Sequence, residues 1–208
     1  MSLPSKKLPI GIQTFRDMRT EEYYYVDKTP AALRLVEEGK YFFLSRPRRF
    51  GKSLFLDTLK ELFEGNEDLF EGLYAADHWD WSRRHPVIRI SFGTGVLQSR
   101  EDLERRIQEI LTENARRLGV EPEFTSVGGF FSQLIAGARE RHGERVVVLI
   151  DEYDKPILDN IENAAVATVL RDGLRDLYSV LKDADPDLRF VLLTGVSKFS
   201  KVSLFSGL

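Results

Sequence analysis

Short apolar runs alternate along this chain with longer segments of helical periodicity. Four runs, at residues 41–44, 85–92, 146–150 and 188–193, have the length and the β-branched or aromatic content of strands. The third run, Val-Val-Val-Leu-Ile, is apolar without interruption, which is typical of a central parallel strand buried on both faces. In the second run, the charged Arg89 indicates a position near an edge of the sheet. The aromatic residues 23–26 predict one further short strand.

Between these runs, apolar residues recur at the 3.6-residue spacing of helices that pack against a core. Thr29-Pro30 predicts the start of one helix and Gly39 its end. Ser99 and Gly119 have the residue types that cap the two ends of a long helix. Three further helices are expected around the periodic segments 54–63, 130–138 and 166–181.

The order of these elements predicts the α/β fold class, with a three-layer parallel sheet and right-handed crossovers. A helix and a strand separate the first strand from the third. We expect residues 1–40 to form an N-terminal extension and a helix that pack on the core. The core itself is expected over residues 41–208.

Composition narrows the classes of protein that need to be considered. The chain has 208 residues, 42% of them hydrophobic, which is enough for one substantial core. The absence of cysteine excludes disulfides and thiolate metal sites and favours a cytoplasmic location. The three histidines are scattered, no apolar run approaches membrane-spanning length, and the net charge of −3 gives no global attraction to nucleic acid.

The segment from Arg46 to Ser53 predicts a phosphate-binding loop between a strand and a helix. Backbone N–H groups and the positive end of the helix dipole converge on phosphates in such a loop. Lys52 would reach the β- and γ-phosphate oxygens, and the Ser53 hydroxyl would bind Mg²⁺. We expect the Lys52 side chain to face solvent in the nucleotide-free protein. The predicted nucleotide contacts are Arg48, Arg49, Phe50, Gly51, Lys52, Ser53 and Leu54.

This loop departs from the usual pattern, because Arg46 stands where glycine is expected and Pro47 has no N–H. The alternative interpretation is a basic turn before a helix. One arginine, with Arg49 the first choice, could replace the missing donors by a guanidinium contact to phosphate. In the competing interpretation, Arg46, Arg48 and Arg49 only brace the loop, by pairing with Asp154 or Asp27.

Asp151 and Glu152 follow the buried third strand, at the position where open α/β sheets bind ligands. Asp151 would hold the Mg²⁺ shell, and Glu152 would orient the attacking water. The glutamate after the acidic strand, together with the helix and strand inserted before that strand, fits the phosphate-loop NTPase core of the additional-strand catalytic-glutamate (AAA-like) type. The alternative is an acidic turn over residues 151–154 that caps a helix or faces solvent. Thr194 ends the fourth strand and is a candidate γ-phosphate sensor, although an ordinary strand-end hydroxyl would have the same pattern.

Five segments, at residues 8–15, 25–29, 46–54, 151–156 and 194–200, resemble the AAA-ATPase-like domain of a prokaryotic protein family. The resemblance implies ATP binding by Lys52 and Ser53, a hydrolytic centre at Asp151 and Glu152, and an arginine-rich loop in place of the leading glycine. It also implies a C-terminal PD-(D/E)XK nuclease-like domain in full-length relatives. This chain lacks that nuclease motif, because its only Asp/Glu-x-Lys triplet, at residues 38–40, ends a helix. We expect the core to stop before its last strand and lid.

Three functions follow as hypotheses. The first is a Mg²⁺-dependent ATPase domain, slow in turnover, that powers or gates an effector domain. The second is a nucleotide-dependent protein-interaction switch that alternates between ATP and ADP, and a homo-oligomer is compatible with both. The third, a nucleic-acid-binding module, is disfavoured by the acidic pI of about 5.7.

Overall fold

A computed structural model describes residues 6–197 of the chain. Its single sheet contains four strands, all parallel, in the order β1-β4-β3-β2. This architecture confirms the predicted α/β class. The predicted C-terminal motif continues to residue 200, so its last three residues lie outside the described part of the chain, as does the end of the predicted core. The strands are β1 (Tyr41–Ser45), β2 (Val87–Ser91), β3 (Val146–Asp151) and β4 (Leu188–Gly195).

Eight helices accompany these strands in the described part. The long helices α5 and α8 cross over between successive strands, as a parallel sheet requires. Two short 3₁₀ turns, Glu67–Phe70 and Asp185–Asp187, complete the connections. The helices are α1 (Phe15–Thr20), α2 (Thr29–Glu38), α3 (Lys52–Phe63), α4 (Tyr74–His78), α5 (Arg100–Leu118), α6 (Val127–His142), α7 (Lys155–Leu158) and α8 (Ala164–Asp183).

The helix ends follow the sequence signals closely. The Ser99 hydroxyl accepts a hydrogen bond from the Asp102 N–H at the start of α5, and Gly119 ends this helix in the left-handed conformation. Gly39 ends α2 in an extended conformation. Lys28 occupies the N-cap position of this helix, and Thr29 is already helical. The capping residue of α2 was therefore predicted one position too late.

Alternate residues of β3 pack into two apolar layers. Val146, Val148 and Ile150 belong to a cluster that α5, α6 and α8 cover on one face. Val147 and Leu149 belong to a second cluster, which the first three helices cover on the other face. The predicted burial of β3 on both faces is confirmed, and the sheet forms the middle of three layers.

The predicted strand at residues 23–26 is wrong. In the described residues this segment makes only one isolated bridge, between Lys7 and Tyr23. The Tyr25 ring packs edge-on against Phe15 instead, with 5.2 Å between ring centroids, and Phe15 is itself buried in the second cluster. The aromatic residues of this segment thus bury their surface against helices. The division of the chain at residue 40 remains a prediction.

Strand β2 lies at an edge of the sheet, as the charge of Arg89 indicates. Helix α5 covers this edge with polar side chains. The Asn114 amide accepts from the Arg89 N–H at 3.0 Å and donates to the Arg89 carbonyl at 2.8 Å. Arg117 donates to the Val87 carbonyl. These contacts satisfy the backbone groups that an edge strand leaves unpaired.

Candidate functional site

Residues 46–51 connect β1 to α3 at the carboxyl edge of the sheet. The Arg46 N–H donates to the Gly195 carbonyl on β4 at 3.2 Å, so the loop starts in contact with the central strand. Gly51 has φ of +75°, a left-handed conformation that favours glycine, and α3 begins at the next residue. Among residues 6–197, no side chain caps the start of α3. Its first N–H groups are therefore available to an anion.

Lys52 is only 8% exposed. Its ammonium donates to the carbonyls of Arg46 and Pro47, each at 3.0 Å. The expectation that this side chain faces solvent is wrong, because the turning loop presents carbonyls that need a donor and the ammonium lies within reach of both. The same two bonds hold the loop in a curved shape around the start of α3.

The arginines of the loop are exposed, and Phe50 beside them is 69% exposed. Arg46 donates to the neighbouring Ser45 carbonyl, whereas Arg48 and Arg49 make no ion pair with any residue of the described range 6–197. Arg49 has φ of +67°, which is uncommon for a residue with a side chain.

The carboxylates proposed to brace these arginines are engaged elsewhere. Asp27 accepts hydrogen bonds from Thr29 and from the Tyr74 N–H. Asp154 accepts from the N–H groups of Val196 and Ser197 at 2.9 and 2.6 Å. The bracing interpretation is therefore wrong for both of its named partners.

Asp151 ends β3 and is 4% exposed. Its Oδ1 accepts the hydroxyl of Thr194 at 2.5 Å and the N–H of Glu152 at 3.1 Å. Thr194 is fully buried on the adjacent strand β4. The sheet thus brings these two predicted site residues into direct contact, and the interpretation of residues 151–154 as a solvent-facing turn is wrong.

Glu152 leaves the strand through a left-handed turn, with φ of +53°. Its carboxylate lies beside Gly93, in the loop after β2. A Cβ placed on Gly93 would be 3.4 Å from Glu152 Oε2 and 3.5 Å from Ser91 Oγ. Adjacent carboxylates therefore face different surroundings, since Asp151 contacts β4 and Glu152 lies near the end of β2.

Several residues that the sequence reasoning missed hold this edge in place. The Tyr153 hydroxyl donates to the Ser197 carbonyl at 2.8 Å, next to the bonds made by Asp154. Lys155 donates to the Gly95 carbonyl and Asn160 to the Leu97 carbonyl, both at 2.8 Å. These contacts tie the loops after β2 and β4 to the acidic segment. The sequence feature that could have identified these residues is the run of polar residues directly after a buried strand.

Asp57 supports the helix that carries Lys52. It accepts from the Phe15 N–H at 2.7 Å and from Arg89 at 2.8 Å, which joins α1 and β2 to α3. Burial raises the pKa of the Asp57 carboxyl, whereas the Phe15 N–H and the Arg89 guanidinium lower it. The start of α3 is thereby fixed relative to the sheet.

No group of three or more potential metal-binding side chains occurs within residues 6–197. The oxygens available at this edge are those of Ser53 and Asp151, at the start of α3 and the end of β3. Mg²⁺ commonly takes only one or two protein oxygens and completes its shell with water and phosphate. The donor set therefore fits Mg²⁺ that arrives with a nucleotide.

Comparison with known proteins agrees with this geometry. The sequence model of the AAA-ATPase-like family, described as a predicted AAA-ATPase, matches residues 9–205. A curated protein of Azotobacter chroococcum mcd 1, described as an uncharacterized protein in the vnfD 5′ region, is 63% identical over 204 residues. That match covers 98% of this chain and 40% of the relative, so the chain spans less than half of the relative's length. No solved structure matches significantly.

Proposed function

Because the chain belongs to the AAA-ATPase-like family, we propose that it binds ATP with Mg²⁺ and hydrolyses it slowly. The observation that carries this proposal is the contact between Asp151 and Thr194 at the same sheet edge as the uncapped start of α3. A buried carboxylate and an anion-binding helix end are the two parts that a metal-nucleotide complex needs. The strand order, with β4 between β1 and β3, supports the AAA-like catalytic-glutamate type.

In this proposal, the N–H groups at the start of α3 and the backbone of residues 48–51 bind the phosphates. The Lys52 ammonium exchanges its two carbonyl partners for β- and γ-phosphate oxygens. Ser53 and Asp151 hold Mg²⁺, which neutralises charge on the phosphates when bound. This exchange keeps the number of partners of the Lys52 ammonium nearly constant, so phosphate binding does not require an unpaired buried charge.

Glu152 orients and polarises the attacking water. Its carboxylate lies beside Gly93, away from the Asp151–Thr194 contact, so in this proposal Glu152 does not bind Mg²⁺. The buried Thr194 hydroxyl acts near the γ-phosphate. Turnover is slow because residues 46–51 are exposed in the described structure, and rapid phosphoryl transfer generally requires a cover that excludes water.

We further propose that nucleotide turnover powers or gates an effector domain. The support is the relative's length, of which this chain matches 40%. A C-terminal nuclease-like domain, a homo-oligomeric assembly and a cytoplasmic location belong to the same proposal. In the described residues, no helix is long and apolar enough to cross a membrane.

A nucleotide-dependent thermal shift tests the proposal directly. Melting temperatures of the chain are measured with ATP, ADP and GTP, each with and without Mg²⁺. We expect ATP and ADP to raise the melting temperature, and Mg²⁺ to enlarge the increase with ATP, because a ligand that binds only the native state stabilises it. Lys52→Ala should lose the shift, whereas Lys182→Ala, the same change on the exposed surface of α8, should keep it. No shift with any nucleotide would refute ATP binding.

Two alternatives remain testable. A nucleotide-dependent interaction switch shares every site residue and differs only in having little turnover. Nucleic-acid binding is supported by one observation, the exposed guanidinium groups of Arg48 and Arg49, which have no ion-pair partner in the part of the chain that the structure describes. Salt-dependent DNA binding that ATP does not displace would favour the nucleic-acid module.

A further inference from the structure

A cavity lies at the amino-terminal edge of the sheet, opposite the edge that carries the candidate functional site. Its volume is about 220 Å³. Helices α2 and α3, the segment before β2 and the start of β4 form its walls. Its lining combines apolar side chains such as Leu33, Val36 and Phe63 with the charged group of Arg189. A cavity of this size accommodates a small ligand or a single side chain, and it is smaller than usual drug-sized pockets.

Arg189 reaches this cavity because β4 contains an irregularity. Val146 pairs with Leu188 and Val147 pairs with Phe190, so Arg189 is an extra residue between two consecutive pairs. Such a bulge redirects a side chain and is a recurrent feature of functional positions. It allows a central strand to carry a charged side chain among otherwise buried neighbours.

Within residues 6–197, the Arg189 guanidinium makes no hydrogen bond and no ion pair. Its neighbour Arg83 is paired with Glu144 at 3.2 Å. Burial, together with the positive charges of Arg145 and Arg83, lowers the pKa of Arg189. An anion is stabilised beside a cation that is partly buried, close to like charges and without a partner.

The cavity at the β2 edge provides a contrast. It is also lined by cations, among them Lys60, Arg89 and Arg117. Each of these already pairs with a carboxylate, at 2.8 to 3.0 Å. Arg106 also lines this cavity and pairs with Glu109 at 3.3 Å, although its buried Nε has no acceptor in the described range. An anion there would meet cations that already have carboxylate partners, whereas Arg189 has none among the described residues.

Trp79 contributes its ring to the lining of the same cavity. Its indole N–H is buried and has no acceptor in the described structure. Phe63 packs edge-on against both Trp79 and His85, with ring centroids 5.3 and 5.6 Å apart. These three rings form one wall of the cavity.

We propose that this cavity binds a carboxylate on a short apolar stem, with Arg189 as its ion-pair partner. A guanidinium fork matches the two oxygens of a carboxylate. Glu37 and Asp80 also line the cavity, so one uncommitted positive charge favours a monoanion over a phosphate dianion. The apolar walls provide contact for the stem.

This site is separate from the proposed ATP site. Both lie along β4, but Arg189 stands near its first residue and Thr194 near its last. At about 3.3 Å per residue, roughly 17 Å of strand separates them. Ligand binding here can therefore be tested without nucleotide, and failure of one proposal does not decide the other.

The two tryptophans provide a direct readout. Trp79 lines the cavity, whereas Trp81 is not among the lining residues and its indole N–H donates to the Ala76 carbonyl at 2.9 Å. Butyrate is titrated into the ¹⁵N-labelled chain at constant ionic strength and pH 7. We expect the Trp79 indole signal to shift saturably, with Kd on the order of 1 mM for a ligand of this size, while the Trp81 signal moves much less.

Variants at Arg189 test the ion pair. Arg189→Gln and Arg189→Ala should each weaken butyrate binding at least tenfold, and melting temperatures check that both fold. Arg175→Gln, the same loss of charge on α8, should bind like the parent. An unshifted Trp79 signal in the parent, or equal affinity in the folded Arg189 variants, would overturn the proposal. Inorganic phosphate binding more tightly than butyrate would also overturn it.

Two peptides distinguish the source of the carboxylate. One short apolar peptide has a free C-terminal carboxylate and its twin is amidated. Binding of the free acid at least tenfold more tightly than butyrate, with no binding of the amide, would identify a polypeptide terminus as the ligand. Binding of butyrate but of neither peptide would identify a diffusible small carboxylate.

Discussion

The acidic strand end and the phosphate loop lie at the same sheet edge but differ in how they are held. Asp151, Thr194 and Asp154 are buried, and each forms hydrogen bonds to a neighbouring strand end or turn. The loop over residues 46–51 is exposed and depends mainly on two bonds from one lysine. In the proposed function, the side of the site that would bind metal is thus preorganised before nucleotide arrives, whereas the side that would bind phosphate must change its partners.

This difference has a physical origin. Hydrogen bonds between the parallel strands β3 and β4 fix the ends of these strands relative to each other. Side chains at those ends are therefore held in fixed positions. The loop begins with Arg46 and Pro47 and has neither a leading glycine nor a complete set of N–H donors. Its binding capacity therefore lies in side chains and in the start of α3.

The largest expected effect concerns Glu152, which lies on the strand-end side of the site. Glu152→Gln keeps the shape of the side chain but removes the charge that polarises water, so ATP should still bind while turnover falls about 1,000-fold. Single-turnover hydrolysis measures the rate, and fluorescent-nucleotide titration measures the affinity.

Glu144→Gln is the matched control, since it makes the same change near the other edge of the sheet and should leave turnover unchanged. If Glu152→Gln hydrolyses ATP as fast as the parent, Glu152 does not orient water. The rigid strand end would then serve only for metal binding.

The next effect tests the side of the site formed by the exposed loop over residues 46–51. Lys52→Ala should weaken ATP binding roughly a hundredfold, since losing a charge-assisted contact to polyphosphate costs about 2–3 kcal/mol. Because the Arg46 and Pro47 carbonyls lie in an exposed loop and can turn to water, the unfolding free energy without nucleotide should fall by only about 1 kcal/mol. Urea denaturation and nucleotide titration measure the two quantities. Affinity equal to that of the parent would exclude the phosphate-loop assignment.

Asp151→Asn should have a smaller and conditional effect. Asparagine retains an oxygen that can accept the Thr194 hydroxyl but lacks the charge that favours Mg²⁺. Affinity for ATP should fall about tenfold with Mg²⁺, or about 1.4 kcal/mol, and remain unchanged in EDTA. Equal weakening in both conditions would mean that Asp151 supports the fold rather than the metal.

The sequence predicted the four strands of the sheet because each is a compact apolar run between polar segments. It also predicted that Asp151 and Thr194 lie at neighbouring strand ends, because strand ends converge in parallel sheets. It did not predict the buried position of Lys52. That position depends on the direction of the Arg46 and Pro47 carbonyls, which is a property of the folded loop and is not encoded by residue type. The bulge at Arg189 was equally invisible, because strand register depends on the partner strand.

The smallest predicted effect concerns Arg49. It tests whether the loop, unlike the strand end, recognises its ligand through a single side chain. With Asp27 and Asp154 engaged elsewhere, a bracing role has lost its named partners, and the exposed guanidinium is available to phosphate. Arg49→Lys keeps the charge but loses the planar fork, so ATP affinity should fall about fivefold, or about 1 kcal/mol. Arg48→Lys is the matched control and should change affinity less. Equal effects at both positions would show that the loop supplies only diffuse positive charge, and geometric recognition of phosphate would then rest on the start of α3 alone.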